Sequence, residues 1–233
     1  MNLNHSEQEL FHPIKQYFLD LGYVVKGEIN GIDILMQYNN KIIGIELKNT
    51  VSLKLMYQAI DRQKVCDKVY VGIPVEAVKS HKKQMKSFIG LCKRLNIGIL
   101  QVGNNQVTCL LEVDDEAKKV NKNYRKAKRV KKEFNERKND LNLGGTKGRI
   151  FTRYKEKMVL IANLMALEGL NSIKDLKNKT GIYDVSNILN KNFYHWFERF
   201  ERGKYRLTAI GNKERTEFNQ KINESLSDEH EKK

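Results

Sequence analysis

The chain has 233 residues, 40% of them apolar and 30% charged, with a formal net charge of +15 and a sequence pI near 9.6. It is long enough for one large packed domain or two small ones. The positive surplus favours a polyanionic partner, nucleic acid above all, because each phosphate neutralised by Lys or Arg releases condensed counterions. Cys66, Cys92 and Cys109 form no CxxC pair and the histidines show no ligand spacing, which argues against a zinc or disulfide framework and fits a reducing cytoplasm. The polar start MNLNHSEQEL has no signal-peptide core, and no apolar run is long enough to span a membrane.

In chain order, Ser6 followed by Glu9 reads as a capping box opening a helix. Its apolar stripe is Leu10, Phe11, Ile14, Phe18 and Leu21, and Pro13 predicts a kink or a restart. A strand over Tyr23–Ile29 comes next. Gly31–Lys48 then reads as two strands joined at Asn39-Asn40, residues that tolerate the positive φ of a tight turn. A two-residue loop sets Tyr38 against Lys41, Gln37 against Ile42 and Asp33 against Glu46; a three-residue loop breaks that pairing. In the first register, Ile32, Ile34, Met36, Ile43, Ile45 and Leu47 share one apolar face. Asp33, Glu46 and Lys48 share the other. Two acids forced together beside a lysine have the form of a divalent-metal site, because like charges opposed across a ladder are otherwise destabilising. The plainer alternative is a solvated ion pair with Lys48.

Leu53, Met56, Tyr57 and Ile60 mark a helix, with Gln58 and Arg62 one turn apart on a neighbouring face. A buried strand over Val69–Ile73 ends at Pro74. A long helix carries Val78, Met85, Ile89 and Cys92, and strands at Ile97–Val102 and Gln106–Val113 flank Gly103-Asn104-Asn105. The order predicts an α/β domain of mixed sheet over residues 1–114.

Residues 115–145 change character. Lys118, Lys119, Lys122, Arg125, Lys126, Lys128, Arg129, Lys131, Lys132, Arg137 and Lys138 face only Glu116, Glu133, Glu136 and Asp140. With Val120, Tyr124, Ala127 and Phe134 as its apolar points, the segment is either a solvated linker or a basic helical arm along a phosphate backbone. Gly144-Gly145 punctuates the chain. Over residues 146–218 three short helices precede strands at Trp196–Phe200 and Tyr205–Ala209 around Arg202-Gly203, the order of a winged helix-turn-helix. Ser186, Asn187, Asn190 and Lys191 on its third helix, with Arg202 and Lys204 on the hairpin, are groove contacts or a plain polar surface. Tyr194 and Trp196 read as core before base-stacking residues. A flexible tail is expected over residues 219–233.

Asp33, then Glu46-Leu47-Lys48, with a glutamate-bearing helix before and a Gln58-bearing helix after, resembles the PD-(D/E)xK nucleases, among them restriction endonucleases and archaeal Holliday-junction resolvases. GYVVKGEINGIDIL, IELKNTVSLKLMYQAIDR and NFYHWFERFERGKYRLTAIG are more closely similar to a bacterial family of PD-(D/E)xK-type phosphodiesterases. Ile32 stands where the motif has its proline, a position without a chemical role. The resemblance implies a restriction-endonuclease-like αβββαβ core with a C-terminal winged-helix-like domain. It implies hydrolysis of DNA phosphodiester bonds with Mg²⁺, for which Mn²⁺ can substitute, by an endonuclease or resolvase; many nucleases that cut both strands act as homodimers, yet no interface is legible in this sequence. Asp33, Glu46 and the Leu47 carbonyl would hold the metal, completed by Glu9 or Glu28, with Glu7 also in reach. Lys48 would act on the attacking water, and Gln58 and Arg62 would hold that water or contact phosphate. Arg125, Lys126, Lys128, Arg129, Lys131 and Lys132 would contact the nucleic acid. The alternative is a non-catalytic DNA-binding winged-helix protein on a nuclease-like scaffold.

Overall fold

The computed structural model describes residues 6–80, 82–117, 120–138, 140–142, 144–145 and 150–230. They fall into two compact units, one of residues 1–136 with 142–150 and one of residues 137–141 with 151–233.

The first unit is built on a six-stranded sheet in chain order: β1 Val24–Ile29, β2 Ile32–Tyr38, β3 Lys41–Leu47, β4 Lys68–Pro74, β5 Gly98–Gly103 and β6 Gln106–Leu111. The strands β1, β2 and β3 form an antiparallel meander, β3, β4 and β5 run parallel, and β6 returns antiparallel. The β2–β3 hairpin has the register expected of an Asn-Asn turn, pairing Tyr38 with Lys41 and Gln37 with Ile42. Asn39 and Asn40 take φ of 46° and 63°, the left-handed backbone that asparagine tolerates best after glycine.

Helix α1, Glu7–Asp20, covers one face of this sheet with Leu10, Phe11, Ile14 and Phe18 packed on Ile34, Met36, Ile43, Ile45 and Leu47. The opposite face takes α2 (Leu53–Gln63), α3 (Val75–Ser80), α4 (Lys82–Leu95) and α5 (Tyr124–Glu136). There Leu55, Met56, Met85, Phe88 and Cys92 meet Ile32, Leu35, Ile42, Val69 and Val71. Helices lie on both faces of the sheet, the usual state of strands joined by parallel crossovers.

Three expectations change here. Ile32 packs with Leu35 and Ile42 rather than with Ile34 and Met36. Opposite this end of β2, Glu28 holds a φ of 50° and the β1–β2 ladder skips from Gly27↔Ile34 to Ile29↔Ile32, so simple alternation fails locally. Pro13 neither ends nor restarts α1, whose apolar residues on both sides of it grip the sheet. The basic stretch, open between a solvated linker and a helical arm, takes the helical form as α5, and the change is that Val130 and Phe134 bury that helix in the first unit's core. Lys26 Nζ donates to the Phe134 carbonyl at 2.5 Å and secures the helix to β1.

The second unit contains α6 (Arg153–Glu168), α7 (Ile173–Thr180), α8 (Val185–Lys191), a hairpin of β7 (Phe197–Glu201) and β8 (Lys204–Leu207), and α9 (Ala209–His230). Thr152 and Ser172 cap α6 and α7 by accepting the Lys155 and Asp175 backbone N–H groups, and Gly169 and Gly181 close them at φ of 66°. The core gathers Met158, Ile161, Leu176, Val185, Ile188, Phe197 and Phe218 around Trp196, which is 1% exposed. Trp196 is therefore core, while Tyr194 is 40% exposed. The segment expected to fray from Asn219 is helical to His230, and Ile222 packs against the core.

Candidate active site

The β2–β3 ladder stops at Ile34↔Ile45, one step short of the acids. Beyond it the Asp33 side chain takes over from the backbone: its Oδ2 accepts the Leu47 N–H at 2.7 Å. Glu46 projects from β3 with 0% exposure, and Asp33 is 9% exposed. One oxygen of Glu46 is held. Oε1 accepts from Arg62 Nε at 2.5 Å, and the same guanidinium gives Nη2 to the Gly31 carbonyl at 2.5 Å, clamping α2 to the β1–β2 turn. The other oxygen, Oε2, is buried and has no hydrogen-bond partner. The Gln58 Oε1, one helical turn before Arg62 on α2, is buried and unpartnered too. Lys48 follows β3 and donates Nζ to Glu7 Oε2, on the first turn of α1, at 2.7 Å.

The electrostatics follow from burial. Loss of water pushes the Glu46 carboxyl up to about 7, reinforced by the neighbouring Asp33 charge and opposed by Arg62 and Lys48. Burial also raises Asp33, against the pull of the Leu47 N–H and Lys48, with Glu7 adding to the rise. Two acids, two cations and Glu7 thus form one interacting group. A buried carboxylate oxygen without a donor is costly. Cancelling that cost calls for a proton or a cation.

A hard divalent ion fits this donor set. Mg²⁺ is commonly bound through one or two carboxylates with its remaining positions filled by water and substrate phosphate. Asp33, Glu46 Oε2 and the Leu47 carbonyl are the oxygen donors to hand. Among the described residues no three Asp, Glu, His or Cys side chains group to hold a metal ion.

Of the acids that the sequence left open, Glu7 reaches the site through Lys48. Glu9 is exposed and receives the Ser6 hydroxyl at 3.5 Å. Glu28 is buried on β1, between the pairs that flank Asp33 across the ladder. Arg62 is committed to Glu46 and Gly31 rather than displayed as a surface phosphate contact. On α5, Arg125, Lys126, Lys128, Arg129 and Lys132 are exposed and Lys131 is partly so; Lys118 and Lys119 lie outside the described residues. Asn187, Lys191 and Arg202 are exposed in the second unit, where Lys204 pairs with Glu201 at 2.7 Å.

Two residues at the site escaped the sequence reading. Gly144 and Gly145, taken as punctuation, run against it. A Cβ on Gly144 would stand 2.6 Å from the Asp33 carbonyl oxygen, and one on Gly145, at φ 75°, 2.6 Å from Glu7 Cβ. The doubled glycine was the available signal, since a close backbone approach needs residues without side chains.

Residues 99–214 match the model of the family described as "Putative PD-(D/E)XK phosphodiesterase". No curated protein and no solved structure matches the chain. The matched span runs from β5 into α9 and does not include Asp33, Glu46, Lys48 or Gln58.

Proposed function

We propose that the chain, whose residues 99–214 match that phosphodiesterase family, is a metal-dependent nuclease hydrolysing DNA phosphodiester bonds at the Asp33–Glu46–Lys48 site. The observation that carries this reading is the buried, unpartnered Glu46 Oε2 beside Asp33, with an ammonium close by on Lys48. When bound, Mg²⁺ or Mn²⁺ would supply positive charge against the phosphoryl oxygens and favour deprotonation of water.

The remaining roles belong to the chain. Arg62 fixes Oε1 and so leaves Oε2 as the oxygen that would hold the ion. The Leu47 N–H holds Asp33 in a single orientation. Gln58 Oε1 is an acceptor suited to orient the attacking water. Lys48 Nζ, held ready by Glu7, stabilises charge developing on the phosphate or takes part in proton transfer from that water. In the second unit, three helices and a hairpin support a winged-helix reading, with Asn187, Lys191 and Arg202 meeting DNA. A homodimer would bring a second copy of the site to the other strand.

Mg²⁺ or Mn²⁺ titrated against plasmid and branched DNA tests this, with Glu46→Ala and Lys48→Ala in parallel. Cleavage should depend on the ion and be lost in both variants. Cleavage undiminished in the variants would sink the proposal.

A further inference from the structure

We infer that the cleft beside the site, walled by α5, binds a phosphate of the DNA strand that flanks the one being cut. This rests on the nuclease reading above for its substrate, but not for its geometry. The cleft is lined by Asn30 at the β1–β2 turn, Asp61, Arg62 and Lys64 at the end of α2, and Lys126 and Arg129 on α5. Arg62 joins the two places: it lines the cleft while its Nε holds Glu46. A strand with one phosphate at Glu46 would therefore carry its next phosphates along this wall.

The charges suit such a strand. The cleft's single acid, Asp61, is matched by Lys64 at 2.9 Å and held below the usual carboxylate range by that lysine, with Arg62 and Lys126 adding to the effect. Lys126 and Arg129 are exposed, and neither has an ion-pair partner among the described residues. An ammonium and a guanidinium one turn apart on a fixed helix are suited to successive phosphate oxygens. Val130, which lines the cleft beside them, and Phe134 anchor that helix in the core, so its charges are placed before a ligand arrives. Pre-placement lowers the ordering cost that a mobile basic tail would incur on binding.

The test is fluorescence anisotropy of a labelled DNA duplex bound by the full chain in EDTA, over a salt series. The double variant Lys126→Ala/Arg129→Ala is compared with Lys93→Ala/Arg94→Ala, which removes the same charge from exposed positions on α4. Loss of two phosphate contacts should lower the slope of log K against log salt by about 2 and weaken binding roughly tenfold or more at physiological salt. The α4 variant should keep the wild-type slope. Equal losses in both variants, or none in the α5 variant, would overturn the inference. Because no cleavage is read, a protein that binds in this way without cutting would refute the proposed reaction and leave the cleft assignment standing.

Discussion

Replacing Glu46 by glutamine isolates the consequence of burying its charge. The carboxyl is raised from the ordinary glutamate value of 4.5 to about 7, chiefly by burial and then by Asp33. Below pH 4.5 the side chain is protonated in both folded and unfolded states, and its ionisation costs the fold nothing. Between 4.5 and about 7 the folded state holds its proton while the unfolded state has released it, so stability falls as pH rises. Above about 7 the loss is complete. Each tenfold change in proton affinity is worth about 1.4 kcal/mol, so the rise from 4.5 to about 7 costs the fold about 3 kcal/mol. Glutamine does not titrate. The stability of Glu46→Gln relative to wild type should therefore improve by about 3 kcal/mol between pH 4.5 and pH 8, whatever constant cost Arg62 suffers from facing an amide. Urea unfolding across that range in EDTA measures the difference. Two parallel pH profiles would refute the role given to burial. Millimolar Mg²⁺ should restore the wild-type protein at pH 8 and leave the variant unchanged, because the ion binds the ionised carboxylate.

Phe134→Ala tests the docking of α5: the side chain is 2% exposed, so the variant should lose about 3–5 kcal/mol. Hydrogen exchange should show α5 losing protection, whereas an unchanged helix would mean that Phe134 does not hold it. Gly144→Ala should reduce cleavage with little change in helix content, since its Cβ would press on the Asp33 backbone; full activity would show that this approach does not shape the site.

The hairpin was legible because two independent features agreed, an Asn-Asn pair able to take positive φ and an apolar alternation on either side of it. The caps of α6 and α7 are local in the same sense: Thr152, Ser172, Gly169 and Gly181 each satisfy backbone groups of their own helix. What failed depended on contacts distant along the chain. Glu7 and Glu9 are alike at the start of a helix, and only α1's packing on the sheet decides that Glu7 meets Lys48. Arg62 read as a contact to water or phosphate because the acid that holds it lies 16 residues away, on β3. The basic segment concealed its docking face among lysines, although Val130 and Phe134, four residues apart, are the spacing that marks it. Gly144 and Gly145 reach the site from more than a hundred residues beyond Asp33, which no local pattern records.

The most direct measurement is anomalous diffraction from crystals soaked in Mn²⁺. A peak is expected within coordination distance of both Glu46 Oε2 and the Asp33 carboxylate, and it should be absent from Glu46→Gln crystals soaked alike. A saturated soak with no peak between those two acids, or with manganese bound only elsewhere, would contradict the metal site and the nuclease reading built on it.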